Sequence, residues 1–130
     1  PETQVVMPRI ESDFLGLLLS ISSPRIFEKH TLSISPEAAS TVIITSGGYP
    51  EKYETGCIVK GLNQIQDSIV FHAGIKLEND KHITNGGRVL AVTSSAKNLK
   101  EALKKSYINA NKICFENIYF RKDIGQDVIK

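Results

Sequence analysis

The sequence predicts an α+β domain, with a mostly antiparallel sheet and one long helix packed across it, preceded by a short helical segment. Short runs rich in β-branched residues alternate with turns that contain glycine or proline. The pair Asn79-Asp80 separates two alternating runs, as the turn of a hairpin does. With 130 residues, 41% of them hydrophobic, the chain is long enough for one cored domain and a small appendage.

The helical segment at the start, residues 1–30, is named the head. Its apolar residues recur close to helical spacing, and Pro8 is expected to break or restart the helix near its beginning. Ser22-Ser23-Pro24 is expected to end it. Because the head is amphipathic, it must pack on another surface; unless it folds back on the sheet, we expect self-association through it. The apolar positions of the head are Val6, Ile10, Phe14, Leu17, Leu18 and Ile21.

Short strands are expected to form most of the body. Residues 31–35 precede Pro36 as a short strand, and residues 39–45 contain Val42-Ile43-Ile44, a run typical of a strand buried on both faces. Further strands are expected at residues 57–60, 69–72, 75–78, 81–84 and 88–93.

One long helix follows the last of these strands. Asn98, with Glu101 three residues later, fits a capping box at its start. One face of the helix is traced by Leu99, Ala102, Leu103, Ser106, Ala110 and Ile113.

Composition argues against several classes of partner. The net charge is only +2 and basic residues are dispersed, so we expect no nucleic-acid partner. Cys57 and Cys114 are far apart and form no ligand pattern with the three histidines, which predicts free thiols. No apolar run approaches the ~20 residues of a membrane span, and no signal pattern opens the chain. We therefore expect a cytoplasmic protein without a membrane partner.

Three glycine-containing loops between strands are the candidate functional site. Ser46-Gly47-Gly48-Tyr49-Pro50 is the first, His72-Ala73-Gly74 the second and Asn85-Gly86-Gly87-Arg88 the third. Such loops on a rigid scaffold present backbone amides and a fixed cation to a small anionic ligand. The substrate-binding residues predicted from them are Gly48, Tyr49, Pro50, His72, Gly86, Gly87 and Arg88.

Each of these residues also has a structural interpretation. The planar fork of Arg88 suits a phosphate or carboxylate, but Arg88 could instead pair with an acidic neighbour. Tyr49-Pro50 would form a stiff wall or only a turn. His72 would donate to a phosphate oxygen or to a backbone carbonyl. Two charged pairs, Arg9 with Asp13 and Arg121 with Asp123, are expected to be structural, the second as a clamp on the C-terminal tail.

At this point the motifs resemble a known family, phosphoribosylamine-glycine ligase or glycinamide ribonucleotide synthetase, in its C-terminal part. They follow the family's order and approximate spacing along nearly the whole chain. The matching residues are Pro1-Glu2-Thr3-Gln4, Met7-Pro8-Arg9-Ile10, Ser12-Asp13, Gly48-Tyr49-Pro50, Tyr53, Gly56, Phe71-His72-Ala73-Gly74, Gly86-Gly87-Arg88-Val89-Leu90, Tyr119, Arg121 and Asp123-Ile124-Gly125.

The resemblance implies an ATP-grasp ligase of purine biosynthesis, which joins glycine to 5-phosphoribosylamine through a glycyl phosphate, with ATP and Mg²⁺ (or Mn²⁺). Residues 1–30 would be the helical end of the ATP-grasp domain and residues 31–130 the C-terminal α+β domain. Arg88 would bind the ribose phosphate or the glycyl carboxylate. The family's metal ligands would lie upstream of Pro1, so this chain is expected to hold no catalytic residue, metal or bound cofactor and to be an inactive fragment.

Two functional hypotheses remain open at the level of sequence. In the first, the chain supplies one side of the substrate cleft of the ligase. In the second, it is a free-standing binding or interaction module with the same fold and no ligase chemistry. The coding sequence upstream of Pro1 distinguishes them, because only the ligase requires the reading frame to continue there.

Overall fold

The structure, a computed structural model, describes residues 2–129 and has the predicted α+β class. Four antiparallel strands form one sheet, in the order β2-β5-β1-β6, and β3 and β4 form a separate hairpin. The helices are α1 (Glu2–Val6), α2 (Phe14–Ser20), α3 (Pro24–Phe27) and α4 (Leu99–Ala110). The strands are β1 (Ala38–Ser46), β2 (Ile69–His72), β3 (Ile75–Glu78), β4 (Lys81–Thr84), β5 (Arg88–Ala96) and β6 (Ile118–Tyr119).

The two long central strands, β1 and β5, carry the core, and α4 packs against both. Val42 and Ile44 are fully buried among the residues that pack around α4, whereas Ile43 on the other face is only half-buried. The prediction that this run is buried on both faces is therefore wrong for the second face. The helix α4 covers the face that carries Val42 and Ile44, whereas the opposite face is buried along β5, at Ala91 and Thr93, but only partly at Ile43 of β1.

The elements that depend on local signals are confirmed. Asn79 and Asp80 both have positive φ, 49° and 59°, which is the backbone of a two-residue hairpin turn that matches the strand twist. The Oδ1 atom of Asn98 accepts a hydrogen bond of 2.9 Å from the backbone N–H of Glu101 and so caps α4.

Two predicted strands, at residues 31–35 and 57–60, are wrong. In the first, Ile34 forms an isolated bridge with Ile10 of the head. In the second, Ile58 pairs with Ile83 and Lys60 pairs with Cys114, so one short segment serves two different neighbours. A strand requires a continuous ladder against one partner, and neither segment has one.

The head consists of short helices rather than one interrupted helix. Ser23 and Pro24, which were expected to end the helix, begin α3, because proline fits the first turn of a helix. Asp13 caps α2 by accepting from the N–H of Gly16 at 2.8 Å, and Arg9 donates to the carbonyl of Ser35 at 2.9 Å. The predicted pair of Arg9 with Asp13 is therefore wrong.

The head meets the sheet through α1, where the hydroxyl of Thr93 donates to the carbonyl of Gln4 at 2.9 Å. The helices α2 and α3 leave large apolar side chains exposed, which keeps self-association a prediction. These side chains are Leu15, Leu18, Leu19, Ile21, Ile26 and Phe27. Among residues 2–129, no helix has the length and hydrophobicity to cross a membrane.

Candidate functional site

The first and third predicted loops meet because the end of β1 lies beside the start of β5, with Thr45 opposite Arg88. The N–H of Ser46 donates to the carbonyl of Gly87 at 2.8 Å, and its hydroxyl donates to the carbonyl of Gly86 at 3.1 Å. The side chain of Ser46 is buried, so these bonds are shielded from water. The two loops are therefore held together at one end of the sheet.

The second loop joins the same end through β2, the other neighbour of β5. The N–H of Gly74 donates to the carbonyl of Arg88 at 2.7 Å, and the N–H of Asn85 donates to the carbonyl of Gly74 at 2.8 Å. A Cβ atom on Gly74 would lie 2.6 Å from the oxygen of Arg88 and 2.8 Å from the Cα of Gly86. Glycine is needed at residue 74 because the two backbones approach this closely.

Tyr49 packs directly over Gly87. A Cβ atom on Gly87 would collide with Cδ2 of the Tyr49 ring and would lie 2.7 Å from its Cε2 and 3.0 Å from Cε1 of Tyr53. The rings of Tyr49 and Tyr53 are tilted against each other, with centroids 5.9 Å apart. The Tyr49-Pro50 peptide is cis, and Gly48 before it has φ of 89°. The turn thus presents an aromatic wall that fits only against a residue without a side chain.

A cleft of about 460 Å³ lies beside this wall. Three of the predicted substrate-binding residues line it, namely Tyr49, Gly87 and Arg88. The remaining predicted residues support the loops or lie elsewhere: Gly86 and Gly48 shape the turns, Pro50 follows Tyr49, and His72 contacts the hairpin. The other residues of the cleft are Thr3, Gln4, Ile43, Ala73, Leu90 and Ala91.

Arg88 supplies the positive charge of the cleft. Its side chain is exposed, and within residues 2–129 the guanidinium has neither a hydrogen-bond partner nor an ion-pair partner. The pKa of Glu2 is lowered, first by a hydrogen bond with its own backbone and also by the charge of Arg88. The structural interpretation of Arg88 requires an acidic neighbour that pairs with it. The charge of Glu2 attracts the guanidinium, but no ion pair joins these two side chains. All donors of the guanidinium are available to a ligand.

The ring of His72 packs on another ring, and within residues 2–129 it donates to no backbone carbonyl. Its ring stands edge-on to that of His82 in β4, with centroids 5.1 Å apart and planes at 82°. The pKa of His72 is lowered, first by partial burial and then by the charge of His82. A positive charge on His82 disfavours protonation of His72, because it would place like charges together.

We predict that His82→Gln raises the pKa of His72 part of the way towards its ordinary value of 6.5, since burial, the larger cause, remains. In the unchanged chain the folded pKa lies below the unfolded one. The stability that neutral His72 contributes is therefore complete above about pH 6.5 and falls as the pH decreases towards the folded pKa. NMR titration of the His72 ring protons measures the shift. His30→Gln is the control in the head, and equal pKa values of His72 in the original chain and His82→Gln would contradict the contact.

Arg121 and Asp123 form a bidentate pair with distances of 2.9 and 2.6 Å, and this hydrogen-bonded contact lowers the pKa of Asp123. Both side chains are more than half exposed, so the pair adds little stability. The tail is also tied to the body by Tyr107 of α4. Its hydroxyl donates to the carbonyl of Arg121 and accepts from the N–H of Ile124, each at 3.0 Å.

The site residue that sequence reasoning missed is Gln4. It belongs to the quoted motif Pro1-Glu2-Thr3-Gln4, of which Pro1 lies outside the described residues. This motif was the only feature of the sequence that could have pointed to Gln4. Its position in the cleft depends on how α1 packs on the sheet, which the motif does not contain. Among residues 2–129, no three side chains of His, Cys, Asp or Glu form a group that could hold a metal ion.

Comparisons with known proteins agree on one family. The family profile of the phosphoribosylglycinamide synthetase C domain matches residues 39–127. The chain is 41% identical over 129 residues to the phosphoribosylamine-glycine ligase of Fusobacterium nucleatum, covering 96% of this chain and 30% of that protein. It is 39% identical over 133 residues to the ligase of Escherichia coli O157:H7, covering 100% of this chain and 31% of that protein.

A solved structure is similar as well. The crystal structure of phosphoribosylamine-glycine ligase from Thermotoga maritima matches with a TM-score of 0.77 and 27% identity, covering 95% of this chain and 30% of that one. The chain therefore spans less than a third of the length of these relatives.

Proposed function

Because the chain belongs to the family of C-terminal domains of phosphoribosylglycinamide synthetase, we propose that it supplies one wall of the substrate cleft of a phosphoribosylamine-glycine ligase. The proposed reaction has two steps. The glycine carboxylate attacks the γ-phosphate of ATP to give glycyl phosphate and ADP. The amine of 5-phosphoribosylamine then attacks the glycyl carbonyl, phosphate leaves and the amide forms.

The observation that carries this proposal is the unpaired guanidinium of Arg88 in the cleft between the three loops. Both proposed substrates carry an anion that a guanidinium binds, a carboxylate in glycine and a phosphate in phosphoribosylamine. Tyr49 and Gly87 limit the space beside it. The role of this wall is to position substrates, which accounts for much of the rate enhancement in transfers between bound reactants.

The described residues do not suit Mg²⁺, which prefers oxygen ligands and carboxylates, because they offer no group of three such side chains. We therefore assign ATP and the metal ion to the rest of an ATP-grasp ligase. In the same proposal, residues 1–30 end the ATP-grasp domain and residues 31–130 form the C-terminal domain. The exposed apolar face of α2 and α3 is covered by the parent protein or by a second chain, and the ligase acts in the cytoplasm.

We predict that the isolated chain forms no ADP above background with Mg²⁺, ATP, glycine and phosphoribosylamine. A ligase that includes this chain should form ADP continuously only when glycine and phosphoribosylamine are both present, because phosphoribosylamine must react with the glycyl phosphate before the next turnover. A coupled assay for ADP measures the difference, and the isolated chain after heat denaturation gives the background. Turnover by the isolated chain would contradict the fragment interpretation. A gene that begins at Pro1, with no ligase sequence upstream, would favour the free-standing binding module instead.

A further inference from the structure

We propose that Gln4 determines which ligand the cleft accepts, by receiving a hydrogen bond from the amine of a small substrate whose anionic group binds Arg88. The inference rests on the proposed function and assigns to α1 a role beyond packing. Gln4 would be a second recognition residue in addition to Arg88. Together the two residues select a small primary amine that carries a carboxylate or a phosphate.

The position of Gln4 is set by the central strand of the sheet. Thr93 of β5 is almost completely buried and donates its hydroxyl hydrogen to the carbonyl of Gln4 at 2.9 Å. The hydroxyl of Thr41 in β1 lies 2.9 Å from the same Thr93 oxygen. The backbone of α1 is therefore attached to two hydrogen-bonded strands. Its side chain at residue 4 reaches the cleft from a rigid support, as a site that must discriminate between ligands requires.

The side chain of Gln4 has an unused acceptor. Gln4 lines the same cleft as Arg88, and its Oε1 atom is buried without a hydrogen-bond partner among the described residues. Folded proteins leave few buried acceptors unpaired, so this atom is a candidate acceptor for an N–H group of a ligand. The last torsion of a glutamine side chain is soft, and a small rotation turns the amide towards a donor in the cleft. An N–H group of a ligand that donates to this oxygen would remove the free-energy cost of leaving it buried without a hydrogen bond.

An acceptor and a cation in one cleft select a particular chemistry. Arg88 binds a carboxylate or phosphate, and Gln4 accepts from an amine or ammonium group. Glycine and phosphoribosylamine both combine an amine with an anion, so both fit the class. A site built to bind a donor rejects analogues that lack it far better than an apolar pocket rejects a change of size, because its polar atom is then left unpaired.

The test uses the complete ligase with Gln4→Met, which keeps the length of the side chain and removes the amide. We expect the KM for the bound amine to rise about tenfold or more, with the KM for ATP unchanged. A rise for glycine alone identifies glycine as the ligand, and a rise for phosphoribosylamine alone identifies phosphoribosylamine. Gln64→Met, at an exposed position of the short 3₁₀ turn Leu62–Gln64, is the matched control and should change neither constant.

Thermal unfolding of the isolated chain separates recognition from a structural role. Gln4→Met removes an unpaired acceptor, so the melting temperature should stay the same or rise. A KM increase together with a clearly lower melting temperature would assign Gln4 to structure and overturn the inference. Unchanged KM values in Gln4→Met would also overturn it, while a raised KM in Arg88→Ala would leave the proposed function intact. If Arg88→Ala has no effect either, the proposed function of this cleft fails.

Discussion

Replacing Arg88 with alanine in the complete ligase is expected to raise the KM for the substrate that it binds by about tenfold to hundredfold. A hydrogen-bonded contact between a guanidinium and a carboxylate or phosphate contributes about 1.5–3 kcal/mol. The substitution breaks no hydrogen bond or ion pair of the side chain within the described residues, because the guanidinium of Arg88 has none there. The folded state should therefore keep its stability while substrate affinity falls.

Steady-state kinetics with each substrate varied in turn measures this effect. The substrate whose KM rises is the one that Arg88 holds, which decides between the glycine carboxylate and the ribose phosphate. Lys81→Ala is the control, because it removes one exposed positive charge from the hairpin without entering the cleft. If Arg88→Ala left every KM unchanged, Arg88 would have no part in substrate binding.

Gly87→Ala is expected to lower the free energy of unfolding by about 1–3 kcal/mol and to deform the cleft. The new Cβ atom would collide with the ring of Tyr49 and would press on Tyr53. Tyr49 lines the cleft, so moving its ring changes the wall that faces Arg88. Urea unfolding of the isolated chain measures the loss of stability, and substrate KM values in the complete ligase measure the deformation.

A double-mutant cycle tests whether the ring of Tyr49 is the cause. With Tyr49→Ala already present, Gly87→Ala should cost much less than it does alone, because the main obstacle is gone. The coupling energy between the two residues then isolates their contact. Equal costs of Gly87→Ala in both backgrounds would show that residue 87 is sensitive for another reason, such as its carbonyl bond to Ser46.

The accuracy of the sequence-based predictions depended on how local the signals were. The hairpin at Asn79-Asp80 and the cap at Asn98 are confirmed, since neighbouring residues produce both. Residues 31–35 and 57–60 have the composition of strands, yet their partners lie in separate elements and no ladder forms. The head was predicted as an amphipathic helix that Pro8 breaks or restarts. In the structure α1 ends before a 3₁₀ turn that contains Pro8, Asp13 caps α2, and Pro24 lies in the first turn of α3.

For the candidate site, too, the features set by neighbouring residues could be predicted, and the contacts between distant residues could not. Glycines, a proline and an arginine between strands identified the three loops, and Arg88, Tyr49 and Gly87 do line one cleft. Nothing in their spacing predicts that Tyr49 covers Gly87, because that contact joins residues in two different loops. The place of Gln4 in the cleft and the ring contact of His72 with His82 were not predicted, because both join residues of separate elements.

Sequence patterns alone were enough to predict the α+β class, the hairpin, the capped helix, the loops that carry the candidate site and the resemblance to the ligase family. These features follow from periodicity, turn residues and ordered motifs, which are properties of short segments. Tertiary packing was needed to show that β1 and β5 bring two of the loops together, that β2 adds the third, and that Gln4 of α1 lines the same cleft as Arg88. Strand register and helix docking depend on burial between residues far apart in the chain, and no local pattern contains that information.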